Sequence, residues 1–171
     1  MGKKAEAKAG AIYRYYRGDL VQLFPEITIP NAICFALDGH TAYFTDTPLR
    51  QILAVDLDTD GWPCSAPRVA VDLTGTAENP DGAVVDAQGN IWNAQWGAAR
   101  LACYSPKGVL LQTLEIDAAH ATCPAFAGAS GQIFCTSATE GIAPAALTAH
   151  DGQTFVAEVS AIGQLEHQVI L

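Results

Sequence analysis

Two matched phrases each place a polar side chain just before an apolar stretch. The first phrase, PNAICFALDG, runs from Pro30 to Gly39, and the second, PDGAVVDAQG, runs from Pro80 to Gly89. Asn31 has the same position in the first phrase as Asp81 has in the second. A polar side chain that is repeated once per structural unit can be delivered repeatedly to a common axis. An amide and a carboxylate at such an axis are the first candidates for chemistry in this chain.

Both residues also have an ordinary structural explanation. Asn31 follows Pro30 and could cap a turn, whereas Asp81 precedes Gly82 in a common turn pair. From the residues alone, the turn cap is the favoured explanation for Asn31. For Asp81, the presence of Asn31 at the matched position favours function, and both interpretations stay open at this point.

Other motifs are weaker candidates. Residues 56–61 (DLDTDG) match the first half of a calcium loop of the helix-loop-helix type, but the twelfth position is Pro67 and the flanking residues predict strands. Residues 128–131 (GASG) do not match the nucleophile motif Gly-x-Ser-x-Gly. The four histidines share no metal-like spacing, and surface or loop positions are expected for them: His40, His120, His150 and His167. Asp46 and Asp86 are expected to brace turns.

The elements that would position these residues are short apolar strands separated by turn residues. A hairpin is predicted over residues 11–24, followed by units of four strands over 30–74 and 80–116. A third unit over 123–171 fades into strands expected at 156–160 and 168–171. Four short strands every roughly 45 residues, without helical periodicity, are typical of β-propeller blades. The prediction is one partial all-β propeller domain over residues 1–171 with three to three and a half blades. Such a chain would be part of a propeller or would close by pairing with another copy.

Composition excludes several classes of function. The chain has 171 residues, of which half are hydrophobic, and its formal net charge is -9. One domain with an ordinary core is expected, and the acidic balance argues against nucleic acid and anionic membranes as partners. No run reaches the roughly 18 apolar residues of a membrane span, and the first ten residues lack a signal core. The expected setting is cytoplasmic. Five dispersed cysteines without a C-x-x-C pair indicate reduced thiols.

Several phrases together resemble a known family. They are GAIYR at 10–14, IPNA at 29–32, AYFTDT at 42–47, NPDGA at 79–83, GNIW at 89–92 and QWG at 95–97 with Arg100. As an ordered set they resemble the senescence marker protein, gluconolactonase and regucalcin family of sugar-lactone hydrolases, which are six-bladed propellers. The proteobacterial branch that includes arabinolactonase is the most similar in wording. The chain resembles the C-terminal half of this family.

The resemblance implies a metal-dependent lactone hydrolase. In the family, one divalent metal at the axis is held by an acidic residue of the first blade, an Asn and an Asp, and the last two correspond to Asn31 and Asp81. Oxygen ligands suit calcium, magnesium, manganese or zinc. The resemblance also implies that Asp81 acts as the general base in opening a sugar lactone. Glu6 lies near the position of an acidic residue that contacts substrate. Ala32 replaces the Gly of the common phrase, which matters only if the turn needs a positive φ angle.

The resemblance leaves a second function open. It places the first-blade acidic ligand, and the Arg and Asn that hold the sugar, before Met1. The alternative is therefore a non-catalytic half-propeller or interaction module whose open edges pair with a partner. The expected partners are a sugar lactone together with a second copy or an N-terminal half. In a homodimer, Glu6 or Glu166 could replace the missing acidic ligand.

Overall fold

The structure is a computed structural model that describes residues 5–168. These residues form thirteen β-strands and two short 3₁₀ turns, so the prediction of an all-β chain is confirmed. In the described part of the chain, no helix has the length and apolar character that a bilayer crossing requires.

An antiparallel hairpin opens the described chain. It pairs β1 (Gly10–Tyr16) with β2 (Asp19–Ile27). Arg17 and Gly18 between the strands both have positive φ angles, 51° and 92°, which suit the right-handed twist of a tight hairpin. With strands from Gly10 to Ile27, the hairpin extends beyond the predicted range of 11–24 at both ends.

The first four-stranded sheet follows the hairpin in simple sequential order. It contains β3 (Pro30–Phe35), β4 (Thr41–Asp46), β5 (Gln51–Asp56) and β6 (Arg68–Asp72), each antiparallel to its neighbour. A 3₁₀ turn over Thr47–Leu49 connects β4 to β5.

The second sheet repeats this order. It contains β7 (Asn79–Val85), β8 (Ile91–Trp96), β9 (Arg100–Tyr104) and β10 (Leu110–Glu115). The first five residues of β8 are buried because this strand has neighbours on both edges and on both faces.

A third group of strands continues the pattern. It contains β11 (His120–Phe126), β12 (Gln132–Ala138) and β13 (Thr154–Glu158), and one bridge from His120 to Trp96 joins it to the second sheet. The strand expected at 156–160 therefore lies two residues earlier. Most of the strand expected at 168–171 lies outside the described residues, and Gln168 itself is not in a strand.

The core lies between neighbouring sheets. The inner strands β3, β7 and β11 lie side by side. One apolar cluster fills the space between the first and second sheets, and it includes Tyr43, Ile52, Val71, Val85 and Ile91. A second cluster lies between the second and third groups and includes Trp92, Leu101, Ala121 and Ile133. The fold thus brings the starts of three inner strands to one end of the molecule.

Candidate active site at the start of the inner strands

The three inner strands share a local irregularity at the same end. Strand pairing is interrupted between Asn31 and Cys34 in β3 and between Pro80 and Ala83 in β7. A third register shift follows Ala121 in β11. A β-bulge turns side chains away from the regular alternation of a strand, and bulges are common beside active sites.

Asn31 and Asp81 meet at this end of the molecule. The side-chain amide Nδ2 of Asn31 donates a hydrogen bond to Oδ1 of Asp81. Asn31 Oδ1 accepts a hydrogen bond of 3.1 Å from the backbone N–H of Ala32. The two residues that the matched phrases singled out are thus in direct contact, although 50 positions separate them in the chain.

Asp81 is a buried carboxyl group with an altered acidity. Only 6% of its surface is exposed. Burial raises its pKa from 3.8 to about 6, and the hydrogen bonds from Asn31 and from the backbone of Gly82 oppose this rise. The group is therefore mainly ionised at neutral pH but accepts a proton more readily than an exposed aspartate.

Cys123 on β11 lies beside this pair, and no functional role was predicted for it from the sequence. A Cβ atom added to Gly82 would lie 2.7 Å from Cys123 Sγ and 2.7 Å from the carbonyl oxygen of Thr122. Burial raises the pKa of the Cys123 thiol, and the nearby charge of Asp81 adds to the effect. A neutral thiol thus lies along one side of the Asp81 site.

Polar and aromatic groups surround the same end of the second sheet. Arg100 donates hydrogen bonds to Glu78 at 2.9 Å and to Gln95 at 2.6 Å. The rings of Trp96 and His120 stack with centroids 4.1 Å apart and an interplanar angle of 7°. His120 is the first residue of β11 and is partly buried, and desolvation by burial lowers its pKa.

Glu6 is exposed and precedes β1. Its backbone carbonyl accepts a hydrogen bond of 3.3 Å from Ala9 N, and no described hydrogen bond connects its side chain to Asn31 or Asp81. Glu166 is exposed. Burial is the main cause of the raised pKa of the Cys34 and Cys123 thiols, and the charge of Glu166 adds to it.

The buried aspartates that were expected to brace turns do so. Asp46 accepts hydrogen bonds of 3.0 and 2.8 Å from the backbone N–H groups of Thr28 and Ile29. Asp86 accepts one of 3.0 Å from the indole Nε1 of Trp92 and others from residues 88 and 90. The buried Asp151 is engaged in the same way, because it accepts hydrogen bonds of 2.9 Å from the backbone N–H groups of Ala119 and Thr148. Asp81 differs from these three in that its partner is the side chain of Asn31.

The Asn31–Asp81 pair fits a divalent cation in the kind of atoms it offers. Amide and carboxylate oxygens are ligands of hard cations, but such cations take about six or more oxygen ligands. Among residues 5–168, no group of three or more His, Cys, Asp or Glu side chains is close enough to hold a metal ion. Asn31 and Asp81 would thus supply two of the oxygen ligands that such a cation takes.

Comparison with known proteins identifies the family. The model of the family described as "SMP-30/Gluconolactonase/LRE-like region" matches residues 1–139. The chain belongs to this family. A regucalcin of Agrobacterium tumefaciens, described as a calcium-binding protein, superimposes with a TM-score of 0.94 at 39% identity, over 100% of this chain and 59% of that one. The predicted propeller class is thereby confirmed.

Relatives within the SMP-30/gluconolactonase family include proteins named as lactonases. A putative sugar lactone lactonase of Rhizobium meliloti is 42% identical over 170 residues, which is 97% of this chain and 58% of the relative. The L-arabinolactonase of Azospirillum brasilense is 36% identical over 141 residues, which is 81% of this chain and 46% of the relative. The chain thus spans roughly half the length of the relatives it matches.

Proposed function

We propose that this chain carries the base of a sugar lactone hydrolase, with a gluconolactone-like or arabinolactone-like substrate. The observation that supports the proposal most is the contact between Asn31 and the buried carboxylate of Asp81 at the start of two inner strands. The names of the relatives agree with it, since they include a sugar lactone lactonase and an L-arabinolactonase.

The acidity of Asp81 suits a general base. A base works best when its pKa lies near the working pH, and burial raises the pKa of Asp81 to about 6. The Asn31 amide donates to one carboxylate oxygen. An ionised carboxylate has about four lone-pair positions, so it can still accept a proton. The amide thus orients the carboxylate while leaving it free to act.

The proposed reaction is hydrolysis of the ring ester. Asp81 accepts a proton from a water molecule while the water oxygen forms a bond to the lactone carbonyl carbon. The bond between that carbon and the ring oxygen then breaks. The ring oxygen takes the proton from Asp81, and the product is the open-chain hydroxy acid.

We propose that the reaction depends on a divalent cation, with calcium, zinc, manganese or magnesium as candidates. Asn31 and Asp81 would supply two of its oxygen ligands. When bound, the cation would polarise the lactone carbonyl. The description of the Agrobacterium relative as calcium-binding supports this part of the proposal.

The test is lactone hydrolysis followed with a pH indicator. Gluconolactone and arabinolactone would be offered with and without each cation to the wild type, to Asp81→Asn and to Asp19→Asn, a control at the exposed start of β2. The expected result is cation-dependent turnover in the wild type and the control, and a loss of about a hundredfold or more in Asp81→Asn. A folded wild-type sample without turnover under any condition would overturn the proposal for this chain.

A second candidate is a non-catalytic module that binds a partner through its open edges. It is favoured by the hairpin, whose two strands pair with no third strand in the described residues, and by exposed apolar side chains along it. Tyr13, Tyr15 and Leu20 are 55%, 52% and 67% exposed. Exposed strand edges are sites for pairing with another chain. A second copy or an N-terminal half of the propeller would fit, and light scattering of the purified chain distinguishes a monomer from a dimer.

A further inference from the structure

The bulge that carries Asp81 interrupts the pairing of β7 with β8 at Asp81 and Gly82. Around this bulge, three successive backbone carbonyls accept hydrogen bonds from side chains. Thr47 Oγ1 donates to the carbonyl of Pro80 at 2.8 Å. The side-chain Nδ2 of Asn93 donates to the carbonyls of Asp81 at 3.2 Å and of Gly82 at 3.0 Å. The backbone on both sides of the Asp81 side chain is therefore held from two directions.

Both donors are buried. Asn93 is 0% exposed and Thr47 is 6% exposed, so water does not compete for the hydrogen bonds that they donate. Thr47 belongs to the first sheet's 3₁₀ turn, whereas Asn93 lies on β8, beside the bulge. The position of Asp81 thus depends on both sheets.

The side chain of Asn93 is not suited to an apolar core. Its Oδ1 atom is buried and has no hydrogen-bond partner. An unpaired buried polar atom destabilises a fold, because the atom has lost its hydrogen bonds to water. Asn93 corresponds to Phe44 of the first sheet. Cys34 and Val84 have the same position in the two phrases, and they pair with Tyr43 and Trp92, the residues just before Phe44 and Asn93.

In the first sheet, the position that corresponds to Asn93 is filled by the apolar side chain of Phe44. Its ring stacks on Phe24 with centroids 4.8 Å apart and belongs to an apolar cluster. An apolar side chain is thus compatible with a propeller strand here. The buried amide of Asn93 has a specific use in the second sheet, which is to hold the two carbonyls of the bulge.

We propose that Asn93 and Thr47 are positioning residues that fix the direction of the Asp81 carboxylate toward Asn31. The importance of this for catalysis rests on the proposed function, but the positioning itself does not. Without the two donors, the bulge is free to rotate its peptide groups, and the contact between Asp81 and Asn31 is lost.

The test is the NMR signal of the Asn31 side-chain amide in the full chain at pH 8, in the absence of metal. A hydrogen bond to a carboxylate shifts these protons and slows their exchange with water. Four variants would be compared with the wild type. Asn93→Ala and Thr47→Val remove the donors. Thr47→Ser retains the hydroxyl, and Ile91→Ala is a control on β8. Ile91 is fully buried and lies outside the Asp81 site.

The expected result is an Asn31 amide signal close to that of a free amide in Asn93→Ala and a partial shift in Thr47→Val. Thr47→Ser should restore the wild-type signal. Ile91→Ala should lower the melting temperature while leaving the signal in place, which separates positioning from a general loss of stability. An unchanged Asn31 signal in folded Asn93→Ala would overturn the inference.

Kinetics separate this inference from the proposed function. If the wild type is active, Asn93→Ala should lower kcat by about a hundredfold, since a displacement of about 1 Å can have that effect. A KM within about threefold of the wild type would accompany it, because Asn93 contacts backbone and not the proposed substrate. A shifted Asn31 signal in a chain without turnover would support positioning and contradict the proposed function alone. Full kcat in Asn93→Ala would contradict positioning alone.

Discussion

The two Pro-Asx-small phrases occupy matched positions on β3 and β7, but their third residue is small for different reasons. Ala32 has a φ angle of 54°, in the left-handed region that favours glycine. Gly82 is outside that region, yet it has no room for a Cβ atom because β11 packs against it. The first phrase has a conformational requirement and the second has a steric one.

The comparison teaches that similar sequence does not imply similar physical constraint. In the first sheet, Asn31 accepts a hydrogen bond from the backbone of the next residue, and Phe44 of β4 packs beside apolar side chains. In the second sheet, Asn93 of β8 donates hydrogen bonds to the backbone of the bulge, and the carboxylate of Asp81 is buried. The second sheet is thus the more constrained of the two and carries the group with the altered pKa.

The largest expected effect comes from Gly82→Ala. The new Cβ atom would lie 2.7 Å from both Thr122 O and Cys123 Sγ, and the backbone oxygen cannot move without shifting β11. We expect the free energy of unfolding to fall by about 3 kcal/mol, measured by urea denaturation. The control is Gly75→Ala, because a Cβ atom there has no neighbour within 4 Å. Equal stability of the two variants would show that β11 does not press on the bulge.

A smaller effect is expected from Asp81→Asn, and it depends on pH. The pKa of Asp81 is 3.8 in an ordinary environment and about 6 in the folded chain. The folded state therefore binds the proton more tightly, so this group makes the protein less stable as pH rises from about 4 to about 6. At pH 8, Asp81→Asn should be more stable than the wild type by an amount on the order of 2 kcal/mol, and this gain should vanish at pH 3.

Urea denaturation at several pH values measures the difference between wild type and Asp81→Asn. Other titrating groups cancel in this difference, because both proteins contain them. Parallel pH profiles would mean that burial does not alter the acidity of Asp81. A stabilised variant that is inactive would instead indicate that the site trades stability for function.

The smallest effect is expected from Ala32→Gly, the reverse of the Gly82 change. Relief of the left-handed conformation is worth about 1–2 kcal/mol, whereas the extra chain entropy of glycine costs about 0.5–1 kcal/mol. Loss of the buried methyl group costs a further ~0.8 kcal/mol. A net change of no more than about 0.5 kcal/mol in the free energy of unfolding is therefore expected from urea denaturation. Ala54→Gly is the control, because this buried alanine lies within β5 and has no positive φ. It should be destabilising, and a similar loss in Ala32→Gly would contradict the conformational explanation.

The sequence by itself determined the all-β class and the correspondence between Asn31 and Asp81. Turn residues at regular intervals and short apolar runs are local patterns, so they can be recognised without knowledge of the packing. The same signals located most strands, including the hairpin, whose Gly18 needs a positive φ.

Only the tertiary structure decided how the site is built. Three contacts of the site join residues more than thirty positions apart. They are the contact of Asn31 with Asp81, that of Cys123 with Gly82, and the hydrogen bond from Thr47 to Pro80. Such contacts depend on the way neighbouring sheets pack, which no local pattern encodes. The pKa of Asp81 follows from the same cause, because burial by surrounding strands, and not the type of residue, raises it to about 6.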